Sequence, residues 1–392
     1  MAISRARWAE RHLAIRAVVY QVLVAGGLVW LIYFLAANTA ENLELRGMLT
    51  GFGFLSVTAG FDVDFTLIGY RLGVDTYGRI FIIAILNTLF IAFFVIVAST
   101  IMAFAVGIAR LSSNWLIARL ALAYVEIIRN IPVLMHLVFW HVVGLHSLPL
   151  VGQSINFLGL DFAYLNNRGL FLPQPVTADL FWAGPAALGL GVVAVFCLRR
   201  WAAGRQRRTG QTIPVIWCSL GLMLGFPLAV HLVTGAPLDW RVPTLERFNY
   251  LGGIYLPTSF VTMLVGLSIY HSAHKAEAVR AGIQSVQKGQ MEAAQTIGLR
   301  RSQALRLVLI PLAMRAIIPP LLTGWLSVTR SASLGIVVAY PELVGMFMQT
   351  SLNQIGHAVE IVAMVMGFYM LISLLISLLL NAYNRRFRIN EG

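Results

Sequence analysis

A few charged side chains lie inside long apolar runs of this sequence. Their residue types are the ones suited to binding or chemistry. Glu126 and Arg129 are three residues apart, so on a helix they share one face and can either form an ion pair or contact a polar solute. Arg330 is followed by Ser331 and Ser333, and such a group either holds a carboxylate or anchors a helix end at an interface. These residue types indicate solute recognition rather than bond breaking.

Catalytic chemistry has little support in the sequence. His136, His141 and His146 recur every five residues and therefore do not share a helix face. We interpret them as satisfied or pore-facing histidines, with a proton relay or metal site as the alternative. Cys197 and Cys218 lie in apolar stretches and indicate no disulfide framework. The sequence therefore predicts no catalytic residue and no metal site.

The composition identifies the elements that must position these residues. Of the 392 residues, 58% are hydrophobic and 11% are charged, with a mean hydropathy of +0.78. Soluble domains carry about 25% charged residues, and one bilayer crossing needs roughly 20 apolar residues. We predict an all-α, polytopic helical membrane protein with about eight transmembrane helices. The apolar runs lie near 17–36, 80–109, 116–148, 179–198, 213–234, 254–276, 310–330 and 358–383.

The net charge of +13 follows from membrane topology and does not indicate a nucleic-acid partner. With the N-terminus inside, most of the 29 Lys and Arg residues fall in cytoplasmic segments, which predicts that both termini are cytoplasmic. The first apolar run is full length without a clear cleavage site, so we interpret it as an uncleaved span. Pro132 interrupts the third run, and residues 116–131 alternatively lie along the cytoplasmic interface.

The longest inner loop has the pattern of a helix, a glycine and a second helix. Gly289 is suited to ending one turn, and Glu292 would place a negative charge near the positive N-terminal end of a short helix. Gly298 is suited to the left-handed residue that ends that helix, and an amphipathic helix follows it. Such an element is shaped to enter a groove on a soluble partner.

At this loop the sequence resembles the permease subunits of ATP-binding-cassette importers, whose signature is E-A-A, three residues, G, nine residues, I-x-L-P. The matching segments are Glu292-Ala293-Ala294, Gly298 and Val308-Leu309-Ile310-Pro311, with Val308 replacing Ile and Ile310 replacing Leu. Residues 280–290, 126–132 and 330–334 are similar to the polar amino-acid branch. The overall layout is most similar to the Q-type permeases of the general L-amino acid transport system.

The resemblance implies an inner-membrane permease subunit of a type I importer, with cytoplasmic coupling helices and a translocation path for L-amino acids. Polar or acidic amino acids and their amides are the favoured substrates. The implied partners are two copies of an ATPase subunit, a second homologous permease, a periplasmic amino-acid-binding protein and membrane lipid. ATP and Mg would bind the partner ATPase. Neither Lys275 nor Lys288 belongs to a phosphate-binding Gly-Lys-Ser/Thr loop, so no cofactor is expected in this chain.

Two sets of candidate residues follow. The ATPase-coupling set is Gly289, Glu292, Ala293, Ala294, Gly298 and Pro311. The translocation-path set is Glu126, Arg129, Glu277, Arg330, Ser331 and Ser333. Glu277, at the inner end of the sixth span, lines a gate or is simply exposed at the interface. An ion-coupled secondary amino-acid transporter is the alternative function.

The predicted organisation has three parts. Residues 1–79 comprise the cytoplasmic N-terminus, first span and outer loop, residues 80–383 the transmembrane permease domain, and residues 384–392 a cytoplasmic tail. Within the permease domain, the core spans occupy 80–148 and 254–383, an inserted outer loop and span pair occupy 149–253, and the coupling loop occupies 277–309.

Overall fold

The structure is a computed structural model that describes residues 19–35, 37–38, 41–42, 51–145, 147–159, 162–175, 183–210, 213–234 and 240–387. The chain forms two compact units. The first comprises Met1–Val138 together with Met263–Gly392, and the second comprises Phe139–Thr262. The second unit contains the segment 149–253 that the sequence predicts to be an insertion.

Helices dominate the described residues. They are α1 (Val19–Leu35), α2 (Tyr77–Ala109), α3 (Trp115–Asn130), α4 (Val133–Phe139), α5 (Ala183–Thr209), α6 (Val215–Thr234), α7 (Thr258–Gln284), α8 (Lys288–Thr296), α9 (Arg301–Ala304), α10 (Ile310–Ser331), α11 (Leu352–Ile355) and α12 (Ala358–Phe387). Shorter 3-10 and π-helical turns join several of them, and α9 and α10 belong to one continuous helix, Arg301–Val338.

Three of the described helices are long and apolar enough to cross a membrane: Tyr77–Ala109, Arg301–Val338 and Ala358–Asn384. The pair Trp115–Asn130 and Val133–Leu145 adds a fourth if it counts as one broken span. Helix α7 is long, but its last four turns contain His271, Lys275 and Glu277, which lower its apolar character. The helices thus support a membrane fold, whereas the count of eight spans is not confirmed by the described residues.

The predicted break at Pro132 is confirmed. The side-chain oxygen of Asn114 accepts the backbone N–H of Leu116 at 2.9 Å and so caps the start of α3. Helix α3 ends at Asn130 because the residue before a proline is forced out of the helical region, and Ile131 is extended. The chain then bends by 102° before the next helix. That α3 lies along the membrane interface stays a prediction.

The all-α prediction is wrong for the segments that flank α5 and α6. Strands β1 (Ile155–Asn156), β2 (Tyr164–Asn166), β3 (Gly169–Leu172) and β8 (Ile254–Pro257) form an antiparallel sheet in that order. Strands β4 (Gln174–Pro175) and β5 (Trp240–Arg241) pair with each other, as do β6 (Thr244–Glu246) and β7 (Asn249–Leu251). These strands have at most four residues, too few for a clear alternating pattern. The predicted sixth span at 254–276 therefore begins late, because α7 starts only at Thr258.

In the first unit, a polar network fixes α2 against the chain that follows α10. The side-chain amide of Asn87 donates to the carbonyl oxygens of Phe65 at 2.9 Å and Pro341 at 2.8 Å. The Tyr340 hydroxyl donates to the backbone oxygen of Asn87 at 3.0 Å, and the Leu343 N–H donates to the Thr88 hydroxyl at 3.0 Å. These groups are buried, so their pairing avoids a large desolvation cost. The network fixes the register of α2 in this unit.

Candidate functional site

The C-terminal half of α7 carries the candidate site and is held between two other helices. A methyl group at Gly107 of α2 would lie 2.9 Å from the carbonyl oxygen of Ala276 and 2.8 Å from the Val279 Cβ. A methyl group at Gly282 would overlap Ile317 of α10. Both helices therefore approach α7 at positions where only a hydrogen atom fits. This packing holds the end of α7 rigid, and the next loop begins from that end.

Glu277 forms an ion-pair cluster at this origin. Its carboxylate accepts hydrogen bonds from Arg110, which caps the end of α2, and from Arg280, one turn later on α7. Arg280 reaches the Oε1 atom with its Nε at 3.1 Å and its Nη2 at 2.5 Å. The hydrogen bonds from Arg280, followed by those from Arg110, hold the pKa of Glu277 below its ordinary value despite partial burial. The cluster therefore joins α2 to α7.

Two of the expected roles in the coupling loop need correction. Gly289 does not end a turn: it lies in the first turn of α8, and Ser285, Val286 and Gln287 connect α7 to α8. Glu292 is the fifth residue of α8 and lies beyond the first turn, so it does not act as the charge at the helix N-terminus. Glu292 instead presents an exposed carboxylate.

The predicted left-handed glycine is confirmed at Gly298, where φ is +84°. The Gly298 N–H donates to the Gln295 oxygen at 2.9 Å, and the Leu299 N–H donates to the Ala294 oxygen at 3.1 Å. This pair of hydrogen bonds is a Schellman motif, which satisfies the last carbonyl groups of α8 and reverses the chain. The motif fixes the direction in which α9 begins.

Small residues let α8 fold against the helix that follows. Ala294 and Ala304 are both buried, whereas Ala293 is exposed. The Gln303 side chain accepts the backbone N–H of Arg300 at 2.9 Å and so fixes the start of α9. A π-helical turn at Leu305–Leu309 precedes Pro311, which cannot donate to the backbone ladder. The loop is thus continuous with α10 through Pro311.

Sequence reasoning missed two residues of this site. Ile297, at the tip next to Gly298, is 77% exposed, so its apolar side chain is accessible to a partner in the part of the chain that the structure describes. The sequence feature that could have identified Ile297 is an apolar residue immediately before the glycine that ends a polar helix. Arg110 is the other, and no sequence pattern could link it to Glu277, because 167 positions separate them.

Of the proposed path residues, only Glu277 lies at the coupling loop. Glu126 and Arg129 are exposed and form no ion pair with each other in the structure, so the ion-pair alternative is not supported and contact with a polar solute stays a prediction. Arg330 is exposed on the last turn of α10, about 30 Å along the helix from Pro311. Ser333 donates to the Arg330 carbonyl oxygen at 2.8 Å, and Ser331 is partly buried.

A cleft of ≈ 470 Å³ lies between the segment before α2 and the segment after α10. Asp62, Asp64 and Gln349 line it together with Tyr340. Glu342 is buried next to it and accepts the N–H groups of Val344 at 2.8 Å and Gly345 at 2.7 Å. Burial raises the pKa of the Glu342 carboxyl to about 8, although both backbone hydrogen bonds lower it. Within the described residues, no group of His, Cys, Asp or Glu is arranged to hold a metal ion.

We expect Glu277→Gln to lower the thermal unfolding temperature of the purified protein at neutral pH, because the neutral amide loses both charge-assisted contacts. Since the native pKa of Glu277 lies below its ordinary 4.5, the stabilisation is present above that pH and is lost as the pH falls through the native pKa. The difference between wild type and variant should therefore shrink below about pH 4.5. Unfolding curves across pH measure this, with the exposed Glu126→Gln as control. A difference that does not change with pH would contradict the ion-pair account.

The amino-acid sequence of this chain matches a known protein family. Residues 207–389 match the family described as "Binding-protein-dependent transport system inner membrane component". The putative amino-acid ABC transporter permease protein YhdX of Escherichia coli K12 is 42% identical over 377 residues, which cover 96% of this chain and 95% of that protein. The general L-amino acid transport system permease protein AapQ of Rhizobium johnstonii is 41% identical, over 96% of this chain and 93% of its own length.

A solved structure described as an amino acid ABC transporter with histidines covers 79% of this chain and 95% of its own chain, with 20% identity and a TM-score of 0.45. The two near full-length relatives extend the match N-terminally beyond residues 207–389, across α2 and the first part of the insertion. The chain therefore belongs to the family of inner-membrane permease components of binding-protein-dependent transport systems.

Proposed function

We propose that this chain is the permease subunit of an ABC importer for amino acids and that α8 with its Schellman turn couples it to a separate ATPase. The observation that carries the proposal is the geometry at Gly298, because it occurs at the signature glycine and projects an exposed tip. The near full-length relatives that are named as amino-acid permeases support the substrate class. Permeases of this family are transport subunits, so ATP hydrolysis belongs to a partner.

The contacts of α8 suggest how force passes between the subunits. Its inner face is held by Ala294, and its exposed face carries Glu292, Ala293 and Ile297. An ATPase groove that receives this face would contact an apolar tip beside a carboxylate. Movement of the tip would reach α10 directly, because the helix from Arg301 onward is continuous. It would reach α7 through the short connection before Lys288.

Further features of the proposal rest on charge distribution and family resemblance. They are eight spans, cytoplasmic termini, a second homologous permease, two copies of the ATPase with bound ATP and Mg, and a periplasmic binding protein. The chain ends, residues 1–18 and 388–392, lie outside the described residues. The domain boundaries at 79 and 383 and the coupling loop at 277–309 belong to the same proposal.

The coupling role is tested by reversing the charge on the exposed face of α8. We expect Glu292→Lys to reduce both ATPase co-purification and substrate uptake, because it changes the surface offered to the partner while the exposed position tolerates the longer side chain. Gln290→Lys, also exposed on α8, is the matched control. Normal co-purification and uptake in Glu292→Lys would contradict the coupling role. Uptake that survives deletion of the ATPase would favour an ion-coupled transporter instead.

Gly298 tests the backbone geometry of the same element. No atom lies within 4 Å of a Cβ built there, so any effect of substitution comes from the positive φ and not from a clash. We expect Gly298→Val to impair coupling strongly, because a β-branched residue resists this conformation, and Gly298→Asn to be milder. ATP hydrolysis stimulated by the loaded binding protein measures the effect. Equal activity of the two variants would show that the left-handed turn is dispensable.

The translocation path is proposed to include Arg330 as a holder of the substrate carboxylate, because a guanidinium binds carboxylates in a bidentate manner. We expect Arg330→Gln to lower uptake while the affinity of the separate binding protein is unchanged, and Arg330→Lys to retain part of the activity. Transport by Arg330→Gln with normal rate and apparent affinity would make Arg330 an interfacial anchor. Glu126, Arg129, Glu277, Ser331 and Ser333 would then be the remaining path candidates.

A further inference from the structure

Helix α7 carries a buried lysine that neither the Glu277 ion-pair cluster nor the coupling loop uses. Lys275 is 3% exposed, and its ammonium group donates to the Ser99 hydroxyl of α2 at 2.8 Å. That hydroxyl in turn donates to the Val95 carbonyl oxygen, so Ser99 offers the lysine a neutral acceptor. Among the described residues, no carboxylate lies within ion-pair distance of Lys275. The ammonium group is therefore enclosed without a counter-charge.

The direction of the Lys275 side chain argues against a simple anchoring role at the helix end. A lysine that anchors a span extends past the apolar region to water. Gly107 marks the contact of α2 with Ala276, and Ser99 lies eight residues before Gly107, about 12 Å back along α2. The Lys275 side chain thus extends away from the end of α7 that carries Glu277, into the helical core of the first unit.

Helix α10 covers the aliphatic part of the same side chain. A Cβ built at Gly324 would lie 3.0 Å from the Cε atom of Lys275, so the glycine leaves the space that the lysine stem occupies. Gly282, two turns further along α7, meets Ile317, which lies two turns earlier on α10. The two helices therefore run antiparallel past each other with matching steps. Lys275 is enclosed where α2, α7 and α10 meet.

Two further buried polar groups lie on the same face of α7. His271 and Ser268 precede Lys275 by four and seven residues, spacings that place all three on one side of the helix. Both are 3% exposed, and the His271 Nε2 and Ser268 Oγ atoms have no hydrogen-bond partner within the described part of the chain. Such atoms cost free energy unless a ligand or water satisfies them. The antiparallel register brings Ser268 to the level of Ser331 on α10, beside the path candidate Arg330.

We propose that Lys275, together with His271, is a specificity-determining site for the side-chain carboxylate of an acidic amino acid. The inference rests on the proposed function, because it assigns a contact within the translocation path of an amino-acid importer. A carboxylate supplies the counter-charge that the enclosed ammonium group lacks, and this charge-assisted contact is strong where water is excluded. Separation of α10 from α7 would open this face to the solute. Arg330 is proposed for the α-carboxylate, so the two cations would bind different carboxylates of one substrate.

The test compares L-glutamate with L-glutamine, which have similar shapes and differ in side-chain charge. Uptake of each is measured in proteoliposomes that contain the complete transporter and its binding protein, and the ratio of the two rates is compared between wild type and variants. We expect Lys275→Met to lower the glutamate-to-glutamine ratio roughly ten-fold, because a charge-assisted contact is lost. The selectivity of the binding protein cancels, because the same binding protein serves every variant.

Lys275→Gln is a second neutral variant that keeps a donor for Ser99, and it should show the same fall in the ratio. Neither variant is expected to destabilise the fold, because each removes a buried charge without a counter-charge. Ser99→Ala is the matched control: it removes the acceptor, keeps the ammonium group and should retain the preference for glutamate.

An unchanged ratio in both neutral variants, or an equal fall in Ser99→Ala, would overturn the proposal and make Lys275 a structural link between α2 and α7. A wild-type transporter that imports other amino acids but neither of these two would overturn the inference alone. A wild-type transporter that imports no amino acid would contradict the proposed function itself.

Discussion

At Gly107 even one methyl group would meet the carbonyl oxygen of Ala276, so α2 and α7 approach as closely as two backbones can. The same constraint operates between α7 and α10 at Gly282. Close packing of this kind resists sliding, because a shift of either helix brings a side chain into a space that holds only hydrogen. The Glu277 cluster adds a charged link at the same end of α7. The C-terminal end of α7 is thereby fixed, and the coupling loop extends from it.

The coupling loop is short, and its shape comes from backbone geometry rather than from a large core. The Schellman motif at Gly298 and the two buried alanines, Ala294 and Ala304, determine how α8 lies relative to the helix that follows. This arrangement leaves the opposite face of α8 exposed. An element with a rigid base and an exposed apolar tip is suited to transmit a movement, since little of the displacement is absorbed by flexing. The continuity of the helix through Pro311 extends this rigidity into α10.

The second unit is built from different elements. Its strands are very short, and two-residue hairpin loops such as Asn167-Arg168 and Arg247-Phe248 set their registers. Its helical pair is joined through small residues on one face. Strand β3 also pairs with β8, so contacts between distant segments close the insertion.

The sequence by itself determined the class of the protein and the long apolar helices α2, α10 and α12, because these depend on local composition. It also determined the break at Pro132 and the left-handed position at Gly298, because these depend on the conformational limits of single residues. Only the tertiary structure decided that Arg110 meets Glu277, that Glu126 and Arg129 remain apart, and that Ile297 stays exposed. It also revealed the small sheets, whose strands are shorter than any periodic pattern can register. Contacts between distant segments depend on how helices pack, and one sequence carries no direct signal of that packing.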